Sequence, residues 1–357
     1  MNAQERLKLA YHAWRARWGT YREARSVVLI PHAPPDGSAT VVWAEADRRQ
    51  TDRLLERLFP EGLDPAVGRE HLPLDRLLAA SPPSDLHLAA FRSGLLLGMR
   101  LRRAGWHLHL RWVDVCIDLG GGTDAVLRIA SRNVRRSLDA LRSEGWTVSV
   151  STDDADLERF HAEMYLPTLE QRYGDRATRF DLGSLREMLR RGFLLKAIHG
   201  GRWLAADLAV VCGRELWLAV AGIQGGSEDV RRSNVATLLT EAALRRAEAS
   251  GLSRVNHGGS MGFADEGTLL YKTRWGGVPE ARGYSLRGGR FYARDWTDVA
   301  LWCDPKAPGV PEALDRALPI VDEGHRTGAL AGTKPRPGDF RRLGERFGWS
   351  VLASAEP

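Results

Sequence analysis

From residue 147 onward the apolar positions change period in a regular way. Residues 147–151 alternate apolar and polar and predict a strand. Residues 153–173 follow with Leu157, Phe160 and Met164 on one helical face, and Pro167 predicts a kink or a split. A second helix is expected over 182–191, ended by Gly192. Three strands come next, over 193–199, 203–211 and 215–221, joined by Gly200-Gly201 and Gly213-Arg214. A polar loop over 225–232 leads to a long helix from Ser233. Val235, Leu238, Leu239 and Ala242 form its stripe, and Gly251 ends it. A strand over 253–257, a short helix over 267–274 and strands over 281–286 and 290–293 complete the order β-α-α-β-β-β-α-β-α-β-β, a mixed α/β sheet.

The first 130 residues are less regular. Strands are expected over 26–31 and 40–44, helices over 50–59 and 86–103, and one or two strands over 106–119, with Pro34-Pro35 and Ser81-Pro82-Pro83 in loops. Beyond residue 306 one apolar helix is expected, over 311–318.

Length and composition narrow the choices. At 357 residues the chain predicts more than one domain, and 43% hydrophobic with 27% charged residues belongs to an ordinary globular protein. Cys116, Cys212 and Cys303 stand far apart with no metal spacing, which with the polar N-terminus predicts a reduced, cytoplasmic setting. No apolar run approaches the roughly 20 residues of a membrane span. The net charge of +6 is carried mostly by arginine. It fits either an arginine-rich genome or an anionic partner. The 12 tryptophans predict core and interface anchors. There is no Walker loop, HExxH, Cys-x-x-Cys pair or G-x-S-x-G elbow, so kinase, metalloprotease and serine-hydrolase classes have no support.

The chemistry concentrates in the stretch Asn256-His257-Gly258-Gly259-Ser260, followed by Tyr271-Lys272 and Trp275-Gly276-Gly277. Glycines here let strand and helix approach a ligand that a Cβ would obstruct. This stretch resembles the late motif of the Fem-type peptidyltransferases and their GNAT-superfamily acyltransferase relatives. The resemblance implies a GNAT-type fold of two halves: a degenerate one over 1–130, a complete one over 131–300, and an extension over 301–357. It implies transfer of an aminoacyl group from aminoacyl-tRNA to an amine on a peptide or peptidoglycan-precursor-like acceptor, with no resident cofactor or metal. Acyl-coenzyme A is the alternative donor, and a non-catalytic RNA- or peptide-binding module is the alternative class.

Within that resemblance Lys272 offsets charge on the donor or oxyanion. His257, at the open end of its strand, is a candidate general base, and so is Glu266, while Asp265 suits a helix cap. Arg231, Arg232, Ser233 and Asn234 stand where the helix after the fourth strand receives donor phosphate, with Ser233 as N-cap. Coenzyme A enzymes carry a glycine-spaced loop there, which this chain lacks. Arg132, Arg135 and Arg136 on one helix face, with Tyr165, Arg172 and Tyr173, match the acceptor-groove segments. A solvated arginine face and a packed helix seam are the competing readings for these groups.

Overall fold

The computed structural model describes residues 112–280, except 175, 176, 178 and 264, together with Arg57 and the backbones of strands on either side. The elements in order are β1 (Trp112–Asp118), α1 (Gly122–Ile129), α2 (Arg132–Ser143) and β2 (Thr147–Ser151). Then come α3 (Asp154–Phe160), α4 (Leu166–Tyr173), α5 (Leu182–Leu189), β3 (Gly192–His199), β4 (Arg202–Cys212) and β5 (Glu215–Ile223). Last are α6 (Glu228–Arg232), α7 (Val235–Ala249), β6 (Arg254–Met261), α8 (Gly267–Thr273) and β7 (Val278–Glu280). They build a seven-stranded mixed sheet of order β7-β1-β6-β5-β4-β3-β2. Its neighbours are antiparallel except β5 and β6, which run parallel.

Helices cover both faces, as a sheet buried on two sides requires. On one face Leu138 and Leu141 of α2 and Leu239 and Leu244 of α7 pack on Leu195, Leu216 and Val255. On the other, Leu157, Phe160, Met164, Leu185 and Met188 pack on Leu194, Leu208 and Val210. Each such side chain contributes about 1.5–3 kcal/mol when fully buried. Side-chain caps set the helix starts: Ser131 accepts from Val134 N, Asp153 from Ala155 N and Asp181 from Ser184 N. Among the described residues no helix is long and apolar enough to cross a membrane.

Several elements depart from expectation. The helix over 153–173 is split by a π-turn, His161–Tyr165, and its last segment starts with Pro167 in the first turn. The wide turn comes just before the proline and absorbs the place where its missing N–H would interrupt a regular ladder. The loop over 225–232 contains α6, capped by Ser227, with Glu228 and Asp229 in its first turn and Arg231 and Arg232 in its last. None of its residues is buried, so hydrophobic periodicity carries no sign of it. Strand β6 continues to Met261, with the paired glycines inside it. The closing strands are Val278–Glu280, Tyr284–Arg287 and Arg290–Ala293.

A second sheet gathers strands from both ends of the chain. Ser26–Ala33, Val41–Glu45, Leu88–Ser93, His107–His109 and Asp298–Cys303 all belong to it. Leu88–Ser93 overturns part of the helix expected over 86–103: it pairs with Val41–Trp43 and with Asp298–Cys303. A short apolar run is ambiguous between buried strand and helix, and partner strands distant in sequence decide it. The helix expected over 311–318 and most of that over 50–59 lie outside the described residues.

Candidate functional site

The parallel ladder between β5 and β6 lasts three residues, from Glu215↔Arg254 to Trp217↔Asn256. Both strands then continue, β5 to Ile223 beside β4 and β6 to Met261 beside β1. Their ladder with each other ends there. A β-bulge marks the point of parting, between Asn256 and Gly259. Gly258 adopts φ +76°, and a Cβ there would lie 3.0 Å from Leu218 O. The bulge's polar groups are met by side chains in place of a neighbouring strand. Asn256 Oδ1 accepts from Gly258 N at 2.8 Å, and Lys272 Nζ donates to Gly258 O at 3.0 Å and Gly259 O at 2.8 Å.

Lys272 therefore reaches back from α8 into the core, only 7% exposed. It belongs to a buried polar cluster on the α7 face of the sheet, with His257, Tyr271, Thr240 and Asp207. Thr240 Oγ1 lies 2.8 Å from Ala236 O and 2.8 Å from His257 Nε2. A hydroxyl has one proton; once it goes to Ala236 O, Nε2 must donate and Nδ1 carries the lone pair. Nδ1 meets no hydrogen-bond partner. Burial, reinforced by the Lys272 charge, pushes His257 down to about 3, so the ring is neutral at physiological pH. Asp207 is the counterpart: burial pushes it up to about 7 while Lys272 pulls it down. Burial also raises Tyr271, whose hydroxyl lies 3.3 Å from Thr240 Oγ1.

The sequence-predicted residues are distributed unevenly around this centre. Lys272 and His257 are brought together, but His257 sits inside β6 and not at its open end. Glu266 caps α8, its Oε2 accepting from Leu269 N at 2.7 Å. Asp265 is not the cap; it pairs with Arg57 at 2.5 Å, and that guanidinium also stacks on Phe263. Arg231 and Arg232 both pair with Glu228. Ser233 is not the cap of α7, because its hydroxyl donates to Val230 O at 2.7 Å. Asn234, at φ 62°, takes that place.

Arg135 donates to Ala130 O at 2.6 Å and Arg128 O at 3.0 Å, closing the C-terminal end of α1, while Arg132 and Arg136 are exposed. These arginines lie with α2 on the α7 face. Tyr165, by contrast, is buried on the opposite face, its hydroxyl accepting from Phe180 N at 2.9 Å. Arg172 and Tyr173 are exposed near the end of α4, stacked on each other. The sheet stands between the two sets, so they do not line one groove.

Three buried carboxylates, Asp114, Asp207 and Glu241, escaped the sequence reading. Asp207 interrupts the apolar strand around Ala205–Val210, and a lone acid in such a run was its available signal. Glu241 lies in the stripe of α7, 4% exposed, held by Arg142 at 2.5 Å and Arg245 at 2.8 Å.

Comparison with known proteins points to the same part of the chain. Residues 128–273 match the family described as acetyltransferase (GNAT) domain. No curated protein matches the sequence. Among solved structures the chain is similar to FemX, at 11% identity over 77% of this chain and 84% of that one, TM-score 0.40. It is also similar to L-PGS from Bacillus licheniformis, at 12% identity over 77% and 80%, TM-score 0.36. A third is a tandem GNAT protein from the clavulanic acid biosynthesis pathway, at 11% identity over 61% and 64%, TM-score 0.33. The family match runs from the end of α1 to the end of α8 and includes the parting of β5 from β6.

Proposed function

We propose that this domain transfers an aminoacyl group from aminoacyl-tRNA to the amine of a peptide or peptidoglycan-precursor-like acceptor. In this reading the parting of β5 and β6 receives the donor's reacting ester. Aminolysis there requires attack by the amine, charge stabilisation on the carbonyl oxygen and departure of the ribose oxygen. The Lys272 ammonium, held at the parting by Gly258 O and Gly259 O, is the source of positive potential in this reading.

The observation that favours tRNA over coenzyme A is how the loop before α7 spends its amides. Arg231 N goes to Ser227 O, Ser233 N to Asp229 O, Asn234 N to Arg231 O and Thr237 N to Asn234 O. Val230 N goes to Ser227 Oγ. Among the described residues these bonds leave Val235 and Ala236, the first two amides of α7, to meet an outside anion. A compact pyrophosphate is best held by a wrap of several amides. A single backbone phosphate flanked by exposed Arg231 and Arg232 suits two. The family description itself favours the second reading, an acyl-coenzyme A donor.

The deciding experiment offers radiolabelled aminoacyl-tRNAs and acyl-coenzyme A species in parallel, each with amine acceptors. Transfer from tRNA that disappears after ribonuclease treatment and falls steeply with salt is expected. Turnover with acyl-coenzyme A in tRNA-free protein would overturn the proposal in favour of the second reading.

A further inference from the structure

The bulge at Gly258-Gly259 depends on a buried ammonium, and a buried ammonium needs an anion. Gly258 O and Gly259 O supply dipoles to Lys272 but no charge. Glu266, next to α8, is spent on its cap, and Asp265 on Arg57. His257, on β6, presents a neutral ring. From the sheet side the charge that acts on Lys272 comes from Asp207, 7% exposed, on β4. In register Asp207 stands opposite Ala221, in the segment of β5 that has already parted from β6.

We propose that Asp207 is a positioning residue for the transfer reaction: through Lys272 it fixes the Gly258-Gly259 bulge, and so the width of the opening between β5 and β6. The chain of influence is short, an electrostatic link followed by two hydrogen bonds. The carboxylate on β4 favours the ammonium, the ammonium holds two successive carbonyls, and those carbonyls fix where β6 leaves β5. An uncharged group at 207 weakens the hold on the carbonyls without touching substrate, and the bulge then samples a regular register that closes the opening.

The same couple makes the opening sensitive to pH. The titratable groups that act on or beside Asp207 are Lys272 and Tyr271 of α8, and His257 of β6 lies next to Lys272 in the same cluster. His257 stays neutral and Tyr271 stays protonated between pH 6 and 8.5. Asp207 is the group that titrates in that window.

Hydrogen exchange on the full-length protein tests this without any assumption about donor or acceptor. In Asp207→Asn the amides of residues 258–260 should exchange at least about tenfold faster than in wild type, with amides of α5, remote from the cluster, unchanged. Lys272→Met should do the same, and the double variant should add little, because both changes break one chain of contacts. Wild type, corrected for intrinsic exchange, should lose protection at these amides as pH falls from 8.5 to 6. That measurement stands even if Asp207→Asn does not fold. Protection that is flat across this window, or effects of the two substitutions that multiply in full, overturns the proposal. Exchange results as expected with no transfer from any donor would instead refute the functional reading on which the link to catalysis rests.

Discussion

His257→Gln offers a direct measurement of the cost of the buried polar cluster. The glutamine amide can replace Nε2 as partner of Thr240, so at pH 7 the loss is mainly ring packing against Tyr271 and Trp275, about 1–2 kcal/mol. The pH dependence is the sharper signal. His257 has its folded value pushed down to about 3, against 6.5 when free. Its neutral form therefore contributes stability that is fully present above 6.5 and is lost as pH falls toward 3. Near pH 4.5 the loss amounts to two units at 1.36 kcal/mol each, or about 2.7 kcal/mol. Glutamine does not titrate, so the variant should be less stable than wild type at pH 7 and more stable near pH 4.5, by roughly 1 kcal/mol. Asp207 acts in the other direction. Its folded value of about 7 lies above its free value, so the folded state gains stability as pH falls from 7 toward 3.8. That gain is common to both proteins and cancels in their difference, while in wild type it offsets the histidine loss. Urea unfolding followed by tryptophan fluorescence at several pH values measures both. A stability difference that stays constant from pH 7 to 4.5 would refute a neutral buried imidazole.

Three further outcomes are expected. Lys272→Ala should lower turnover on the order of 10²–10³-fold if the ammonium stabilises developing charge. A variant that keeps more than about a tenth of wild-type rate would remove Lys272 from the reaction. Glu241→Gln should lower the urea midpoint by an amount equivalent to about 1–2 kcal/mol, less than for a fully buried pair because Arg142 and Arg245 are half exposed; an unchanged midpoint would show the pairing to be inconsequential. Gly222→Ala places a methyl 2.8 Å from the Phe160 ring and 2.8 Å from Tyr165 N, so a loss of about 1–3 kcal/mol is expected in thermal unfolding, and a neutral result would mean that the π-turn gives way.

The central sheet was legible because its periodicities are local. Leu157, Phe160 and Met164 mark a buried helix face by spacing alone, and all three are fully buried. Where a residue's role depends on distant partners, the sequence was silent. Glu266 and Asp265 are adjacent acids, and only the position of Arg57 separates the cap from the ion pair. Arg135 looks like its neighbours Arg132 and Arg136, yet it closes the preceding helix. Asn234 takes the place expected of Ser233 because a short surface helix, invisible to hydrophobic patterning, ends at Ser233. Asp207 was visible as an anomaly, an acid within an apolar strand. Its connection to Lys272 was not, since 65 positions of chain separate the two.

The contact of Arg57 with Asp265 and Phe263 joins positions 208 apart in sequence. A contact of such span carries a loop-closure cost that nearer pairings avoid, so it belongs among the late steps of folding. The segment it secures leads directly into α8, the helix that carries Lys272. The approach to α8 therefore takes one of its fixings from the first part of the chain, and an exposed pair of this kind, worth up to about 1 kcal/mol, biases the seat of that helix without deciding it.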